Sequence, residues 1–368
     1  MIRAGINALY LIPGGVGGTE IYLRSLLAEL AALDTENRYV VFANRECGTD
    51  LAPAGFQTAV IPVHGANRPA RILAEQTELP LRARSLGIDV LLNAGFTAPV
   101  AAPCPQVTVF HDLQHKRHPE HFRWFDLPAW RVLLYLAARR SEALVAVSEA
   151  TAADLRRYYG LPEERIRVIP HGVDERFRMI SLERRRRTPE RFLLCVSTLH
   201  PHKNIQRLLR SFAKFRERRP EFRLVLAGMR GFAAGEVERA IRELGLGQAV
   251  EVTGWIPRER LYGLYRDAWA FVYPSTFEGF GMPVLEALAA GIPVACSSIE
   301  PLREVAGDAA RLFAPDDDCD LLAALEDVAG DELLRLHLEV AGPERAARFS
   351  WRHCAVATLR VLVETAQR

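Results

Sequence analysis

Several features that mark other classes of protein are scarce in this chain of 368 residues. Its 47 Lys and Arg residues nearly balance its 45 Asp and Glu residues, and no domain-wide basic excess suggests a nucleic-acid partner. No apolar run reaches the roughly 18–20 residues that a membrane-spanning helix needs. The N-terminus also lacks the pattern of a signal peptide. We therefore expect a cytoplasmic protein, a location compatible with peripheral association at the inner face of a membrane.

Cysteine and lysine are also used sparingly. The six cysteines are scattered and form no C-x-x-C pair, which favours a reducing compartment over a disulfide framework. Only three lysines accompany the many arginines, at positions 116, 203 and 214. A lysine at any one position is thus unusual, which draws attention to the surroundings of Lys203.

The order of predicted elements indicates two domains. Short β-rich runs alternate with longer helical patterns, which is typical of parallel α/β architecture. The alternation stops after residues 170–174 and resumes near residue 191. We predict an N-terminal domain at 1–172, a linker at 173–190, a C-terminal domain at 191–349 and a final helix at 350–368. The run Arg184–Arg187 fits a solvated linker, with contact to anionic lipid or nucleic acid as the alternative.

The most informative segment runs from Phe277 to Val294. Gly279 and Gly281 permit close backbone approaches, and the helix start that follows suits a phosphate or diphosphate. Glu278 precedes this helix and Glu286 lies within it. Since carboxylates accept hydrogen bonds from sugar hydroxyls, two of them beside an anion site predict recognition of a phosphorylated sugar. A buried helix with two incidental glutamates is the alternative.

A second glycine-rich turn follows the first predicted strand, in the segment Pro13–Glu20. Gly15, Gly17 and Gly18 would let a ligand approach the backbone at the start of a helix. The dinucleotide fingerprint G-x-G-x-x-G is not matched, so an NAD site is a weak alternative, and a purely structural turn is another.

Histidines cluster where a buried strand ends at His111 and Asp112. The end of a strand is where α/β domains place active residues, and His111 is the best functional candidate. His115, His118 and His121 follow closely, which raises a zinc hypothesis. Their spacing matches no common closed zinc site, so packed or surface histidines are the competing interpretation.

The first strand of the second domain ends near Lys203. An ammonium group at a helix start can offset the charge of a departing nucleotide diphosphate. The next strand is followed by Gly228 and Arg230, which could serve the same anion. A surface lysine and a surface arginine are the alternatives.

Together these motifs resemble the retaining glycosyltransferases of family 4, the group 1 type, and its mannosyltransferase-like members most closely. The resemblance covers nearly the whole chain. Its most specific parts are Glu278-x₇-Glu286, His111-Asp112 and Ile169–Asp174. It implies the GT-B fold: two Rossmann-like parallel-sheet domains facing across a cleft, with a C-terminal helix crossing back to the first domain.

The resemblance also implies a role for each candidate residue. Glu278 would lie by the donor sugar, Glu286 would bind the ribose hydroxyls and Lys203 would neutralise the phosphates. His111 would line the donor sugar. The donor would also be held at the backbone of two turns and by one arginine, namely at Gly279, Phe280, Gly281, Gly15, Gly17, Gly18 and Arg230. Similar sequences carry arginine at the position of His202, so one positive charge that faces the phosphates is missing here unless Arg230 supplies it. They often carry asparagine at the position of His171, a difference that we interpret as a detail of the linker.

The function implied is transfer of a hexose with retention, from a nucleotide diphosphate sugar to the hydroxyl of a carbohydrate or lipid-linked oligosaccharide. GDP-mannose is the favoured donor, in cell-surface polysaccharide or glycolipid synthesis. We expect no cofactor and no catalytic metal, because no Asp-x-Asp pair stands at a predicted strand end. Two alternatives stay open: a nucleotide-sugar epimerase of the same fold, and a non-catalytic module that binds nucleotide sugars.

Overall fold

A computed structural model describes residues 1–15 and 17–368 of the chain. The chain divides into two compact units. Unit 1 contains Met1–Gly172 together with Ser350–Arg368, and unit 2 contains Val173–Phe349. The last stretch of the sequence therefore belongs to the same unit as the first.

Unit 1 is built on a parallel sheet of seven strands in the order β3-β2-β1-β4-β5-β6-β7. The strands are β1 (Arg3–Asn7), β2 (Arg38–Ala43), β3 (Gln57–Val60), β4 (Val90–Asn93), β5 (Gln106–Phe110), β6 (Ala143–Ala146) and β7 (Ile166–Val168). The central strands β4 and β5 are buried throughout. Helices on both faces of a parallel sheet exclude water from such strands.

Five helices connect the strands of unit 1. They are α1 (Gly18–Leu33), α2 (Arg68–Ser85), α3 (Gln114–Arg117), α4 (Leu127–Arg140) and α5 (Glu149–Tyr159). Helix α5 shows why such helices start and stop where they do. The Ser148 side chain accepts a hydrogen bond from the backbone N–H of Thr151 at its start, and Gly160 ends it with a left-handed φ of 58°.

Unit 2 contains a parallel sheet of six strands in the order β10-β9-β8-β11-β12-β13. The strands are β8 (Glu190–Val196), β9 (Arg223–Ala227), β10 (Val250–Gly254), β11 (Ala268–Tyr273), β12 (Val294–Ser297) and β13 (Arg311–Phe313). The helices are α6 (Glu175–Arg184), α7 (Ile205–Arg218), α8 (Ala234–Glu243), α9 (Arg258–Asp267), α10 (Met282–Ala289), α11 (Glu300–Ala306), α12 (Asp318–Gly330) and α13 (Glu332–Ala346).

The segment 173–190, which we predicted as a linker, contains helix α6. Its Phe177 and Ile180 side chains are fully buried, and the Arg184 guanidinium donates to the backbone carbonyl of Ala268 at 2.8 Å. A segment rich in charged residues therefore forms a packed helix. The Arg184 charge is accommodated there because its guanidinium donates to a carbonyl oxygen of another element. The final helix α14 (Trp351–Ala366) packs in unit 1.

The strand orders set where each unit keeps its functional residues. In both sheets the order reverses direction beside the first strand: between β1 and β4 in unit 1, and between β8 and β11 in unit 2. Ligands of open α/β sheets bind at the carboxyl ends of strands at such switch points. Among the helices of residues 1–15 and 17–368, none combines the length and apolar character needed to cross a bilayer.

Candidate functional site

The switch point of unit 2 brings Lys203 and Glu278 together. Lys203 follows β8 and Glu278 follows β11, and these two strands are neighbours. The Lys203 Nζ donates to Glu278 Oε1 at 2.6 Å and to the Tyr273 hydroxyl at 3.0 Å. Both charged side chains are more than four-fifths buried. The sequence identified the lysine and the glutamate as two separate candidates. They form one ion pair because β8 and β11 are adjacent in the sheet.

Backbone contacts between the two loops position this ion pair. The carbonyl of His202 accepts a hydrogen bond from the backbone N–H of Thr276 at 2.8 Å. The Ser275 hydroxyl lies 3.1 Å from the same carbonyl and 2.9 Å from that of Phe277. Asn204 adopts a left-handed φ of 57°, which turns the chain from the 3₁₀ turn Pro201–Lys203 directly into α7. Lys203 is therefore held by its main chain as well as by its ammonium group.

The glycine-rich turn that precedes α10 needs glycine at one position in particular. Gly281 has a φ of 107°, and a Cβ there would collide with the Leu302 side chain. It stands immediately before the first residue of α10, with Pro283 in the first turn, as the sequence predicts. The N–H groups at the start of a helix such as α10 can bind an anion.

Glu286 is buried within α10. Burial raises the pKa of Glu286 to about 7, although the nearby Arg258 charge and a hydrogen bond from Tyr265 act in the opposite direction. The Tyr265 hydroxyl donates to Glu286 Oε2 at 2.9 Å. A carboxyl poised near neutrality can accept hydrogen bonds from hydroxyl groups once it is ionised, which is the chemistry that a ribose diol requires.

Helix α9 contributes a polar cluster that sequence analysis missed. The Arg258 guanidinium and the Tyr262 hydroxyl both donate to Asp174 Oδ2, at 3.0 Å and 2.7 Å. Only Asp174 lay in a motif that we had noted. The helical periodicity of α9 carries no signal for this chemistry, because the partners come together only when α6 and α9 pack.

The structure places Gly228 and Arg230 differently. Gly228 has a φ of 140°, and a Cβ there would collide with the Ser197 carbonyl, so the glycine is needed for the close approach of two strand ends. The Arg230 side chain is 65% exposed and pairs with Glu238 on α8. Its assignment to the diphosphate stays a prediction.

In unit 1 the first glycine-rich turn carries a carboxylate of its own. Glu20 Oε2 accepts a hydrogen bond from the Gly14 backbone N–H at 2.7 Å, so a negative charge stands where the sequence suggested an anion cradle. Gly17 has a φ of 60°, a backbone conformation that favours glycine. At Gly18 a Cβ would meet no atom of the described residues within 4 Å. Packing among the described residues therefore does not require glycine at that position. A Cβ at Gly15 would lie 3.0 Å from Ile12 Cγ2.

His111 is buried at the carboxyl end of β5. Its Nε2 lies 3.0 Å from the Ala94 carbonyl oxygen, and since a carbonyl only accepts, Nε2 carries the proton and donates. Burial lowers the pKa of His111 to about 4, so the ring is neutral at neutral pH. Phe96 packs against it at 5.2 Å between ring centroids, with an unusual left-handed φ of 69°. Such backbone strain often accompanies functional loops.

His171 is not the linker detail that we expected. It is buried in unit 1, with its ring centroid 5.5 Å from that of His111 and 5.6 Å from that of Trp351 at the start of α14. Tyr22 of α1 lies 5.0 Å from both histidine rings. Burial lowers the pKa of His171 well below its usual range. This aromatic cluster holds the imidazole of His111 in place.

Unit 2 brings together groups of opposite charge and hydrogen-bonding character around one switch point. An ammonium group, a helix start and two carboxyl groups lie on loops and a helix around one switch point. Each unit is a parallel-sheet α/β domain, with seven strands in unit 1 and six in unit 2, as the GT-B fold that the sequence suggested requires.

Comparisons with known proteins agree with this assignment. The family model for Glycosyltransferase Family 4 matches residues 16–177, and that for glycosyl transferases group 1 matches residues 180–345. O-antigen chain mannosyltransferase B of Escherichia coli is 30% identical over 267 residues, covering 69% of this chain and 68% of that protein. MMP α-(1→4)-mannosyltransferase of Mycolicibacterium hassiacum is 30% identical over 310 residues, covering 80% and 73%.

Among solved structures, sucrose-phosphate synthase from Thermosynechococcus elongatus superposes with a TM-score of 0.81. The match has 19% sequence identity and covers 99% of both chains, so it is evidence for a shared fold. The chain belongs to glycosyltransferase family 4, the group 1 type, and is mannosyltransferase-like. The family and the GT-B fold that the sequence suggested are confirmed, and the protein is a glycosyltransferase.

Proposed function

We propose that this glycosyltransferase moves mannose from GDP-mannose to an acceptor hydroxyl with retention at the anomeric carbon. Two relatives, an O-antigen chain mannosyltransferase and an α-(1→4)-mannosyltransferase, support mannose as the sugar. The acceptor class is a growing carbohydrate or lipid-linked oligosaccharide. No step in the proposal requires a cofactor or a catalytic metal.

The observation that carries this proposal is the buried ion pair of Lys203 and Glu278 at the switch point of unit 2. A diphosphate at the start of α10 would attract the Lys203 ammonium, which Glu278 and Tyr273 already hold in place. A preorganised cation needs little rearrangement to stabilise the charge that develops on a departing phosphate. Glu286 would then accept the ribose hydroxyls.

The proposed reaction needs no protein nucleophile. The bond from the anomeric carbon to the phosphate oxygen breaks, and the bond to the acceptor oxygen forms on the same face of the sugar. The acceptor proton passes to the departing phosphate oxygen, so the products are the glycoside and GDP. The protein acts by holding the reactants in position and by stabilising the leaving group.

A binding screen followed by product analysis tests this function. The GDP, UDP, dTDP and ADP derivatives of the common hexoses are titrated by calorimetry, and GDP-mannose is expected to bind most tightly. Tighter binding of a UDP-sugar would refute the choice of donor. An inverted anomeric centre in the product, seen by NMR, would refute retention. Conversion of the donor to another hexose without an acceptor would show an epimerase instead.

We also propose that an exposed aromatic surface of unit 1 contacts the membrane peripherally. Trp124 is 83% exposed and Phe125 is 56% exposed, and both directly precede α4. On α4 itself, Val132 and Tyr135 face solvent, whereas Leu134 is buried. Helix α4 therefore buries only part of its surface.

Arginines accompany the exposed aromatics, and Arg123, Arg131, Arg139 and Arg140 are exposed as well. Aromatic and arginine side chains together suit the interface of an anionic bilayer. Trp124→Ser combined with Phe125→Ser should reduce co-sedimentation with phosphatidylglycerol vesicles. Leu333→Ser, at an 81% exposed position of unit 2, is the matched control. Equal sedimentation of all three proteins would count against this surface.

A further inference from the structure

The four histidines between positions 111 and 121 separate into two groups in the folded chain. His111 Nε2 donates to the Ala94 carbonyl at 3.0 Å, and the buried His115 has its Nε2 2.8 Å from the Tyr159 hydroxyl. Both rings are therefore built into the core of unit 1. The other two, His118 and His121, lie at the surface with Glu120 between them.

A 3₁₀ turn brings His118 and His121 over each other. The turn covers Pro119–His121, and residues three apart eclipse in this geometry. The two imidazole rings are nearly parallel, at 15°, with their centroids 5.3 Å apart. Pro119 fixes its own φ, which favours this arrangement of the backbone.

The potential ligand atoms of the three residues lie close together. His118 Nδ1 lies 2.9 Å from Glu120 Oε1, and His121 Nε2 lies 4.0 Å from the same oxygen. One ligand atom from each of the three residues lies within 4.8 Å of the others. Tetrahedral zinc holds such atoms about 3.3 Å apart, with bonds of about 2.0–2.2 Å. The two distances to Glu120 Oε1 lie on either side of this value, and all three side chains are partly exposed.

We propose that His118, Glu120 and His121 bind one Zn²⁺ ion, with water completing the coordination. Two imidazoles and one carboxylate form a ligand set that zinc accepts. Gln114 Nε2 lies 3.5 Å from His121 Nδ1. With the metal on Nε2, the Nδ1–H would be donated to the Gln114 amide oxygen, once that amide is flipped. Zinc-bound histidines commonly donate their other ring N–H to an acceptor in this way.

The site goes beyond the proposed transfer reaction and serves a different purpose. Its three residues are not among those to which the proposed transfer reaction assigns a role. The turn lies between His111 and the exposed aromatics Trp124 and Phe125 in the chain. A zinc ion here would fix the conformation of the segment that joins them.

Zinc titration of the tag-free, metal-stripped protein tests the proposal, by calorimetry and by the absorption spectrum of the Co²⁺ form. We expect one ion per chain. His118→Ala and His121→Ala should each weaken binding at least about tenfold, because even the loss of an outer-shell partner typically costs about 10–100-fold. The matched control is His64→Ala, since His64 Nδ1 also lies beside a surface carboxylate, 3.3 Å from Glu46 Oε1, and should leave affinity unchanged.

Two outcomes would overturn the site. One is the absence of zinc binding by the unmodified protein. The other is binding of equal affinity by the unmodified protein and by the double variant His118→Ala, His121→Ala, which would place the ion elsewhere. Donor affinity measured in the same preparations separates this inference from the proposed function, because the variants should bind nucleotide sugar as the unmodified protein does.

Discussion

Substitution of Glu286 by glutamine tests the electrostatics of unit 2 directly. Burial raises the pKa of Glu286 from 4.5 to about 7. Between these two pH values the folded protein retains a proton that the unfolded chain has already released. The contribution to stability is therefore fully present below about pH 4.5 and is lost as the pH rises through about 7.

The size of this effect follows from the same pKa. The difference between 4.5 and about 7 corresponds to about 3 kcal/mol of free energy of unfolding. Glutamine has a similar shape, can still accept from the Tyr265 hydroxyl and does not titrate. Relative to the unmodified protein, the Glu286→Gln variant should gain stability between pH 5 and pH 8, approaching that magnitude.

Urea unfolding at several pH values measures the difference. The two units need not unfold together, so hydrogen exchange of α10 and β11 supplies a readout specific to unit 2. Glu259→Gln, at an exposed position of α9, is the control. A difference between Glu286→Gln and the unmodified protein that does not change with pH would refute the reasoning. So would a relative gain of the unmodified protein at high pH.

The same carboxyl links pH to donor binding if it holds the ribose. Hydroxyl groups that donate to Glu286 favour its ionised form, so binding near pH 7 should release a proton. Calorimetry in two buffers of different ionisation enthalpy measures that release, and Glu286→Gln should abolish it. The same proton release from both proteins would remove Glu286 from the ribose site.

Three further predictions concern the donor site. Lys203→Ala should lower turnover about 10²–10³-fold, because loss of one charge-stabilising group typically has this effect. Lys214→Ala, at an exposed position, is the control and should leave turnover unchanged. Equal turnover of the two variants would show that the assignment of Lys203 to the phosphates is wrong. Gly281→Ala should destabilise unit 2 by about 2 kcal/mol or more, owing to its φ of 107° and the collision with Leu302, and unchanged urea unfolding would contradict that strain. Removal of divalent ions with EDTA should leave donor affinity unchanged, and a loss measured by calorimetry would show that a metal is needed at the donor.

Much of the fold was predictable because its signals are local. Apolar runs of strand length, separated by helical periodicity, indicate a parallel α/β chain before any contact is known. The glycine before Met282 and the proline after it mark the start of α10, because backbone geometry at a helix start is a property of a few neighbouring residues. Local signals failed at α6, whose buried Phe177 and Ile180 are hidden among charges.

The partnerships within the site were not predictable in the same way. His171 seemed incidental until the packing of α1 and α14 placed it beside His111 and Trp351. The hydrogen bonds of Arg258 and Tyr262 to Asp174 join residues more than eighty positions apart. No pattern of spacing reports such pairs, because they depend on which faces of two helices meet.

Periodicity and turn residues, which depend on neighbours in the chain, located the strand ends and made Lys203, Glu278, Glu286 and His111 candidates. The resemblance of the motifs to a known family indicated the class of protein. The packing of distant segments, in contrast, established that Lys203 and Glu278 form a buried ion pair and raised the pKa of Glu286 to about 7. An ion pair needs two strand ends to be adjacent, and a pKa depends on exclusion of water. Both arise from how distant segments pack against one another.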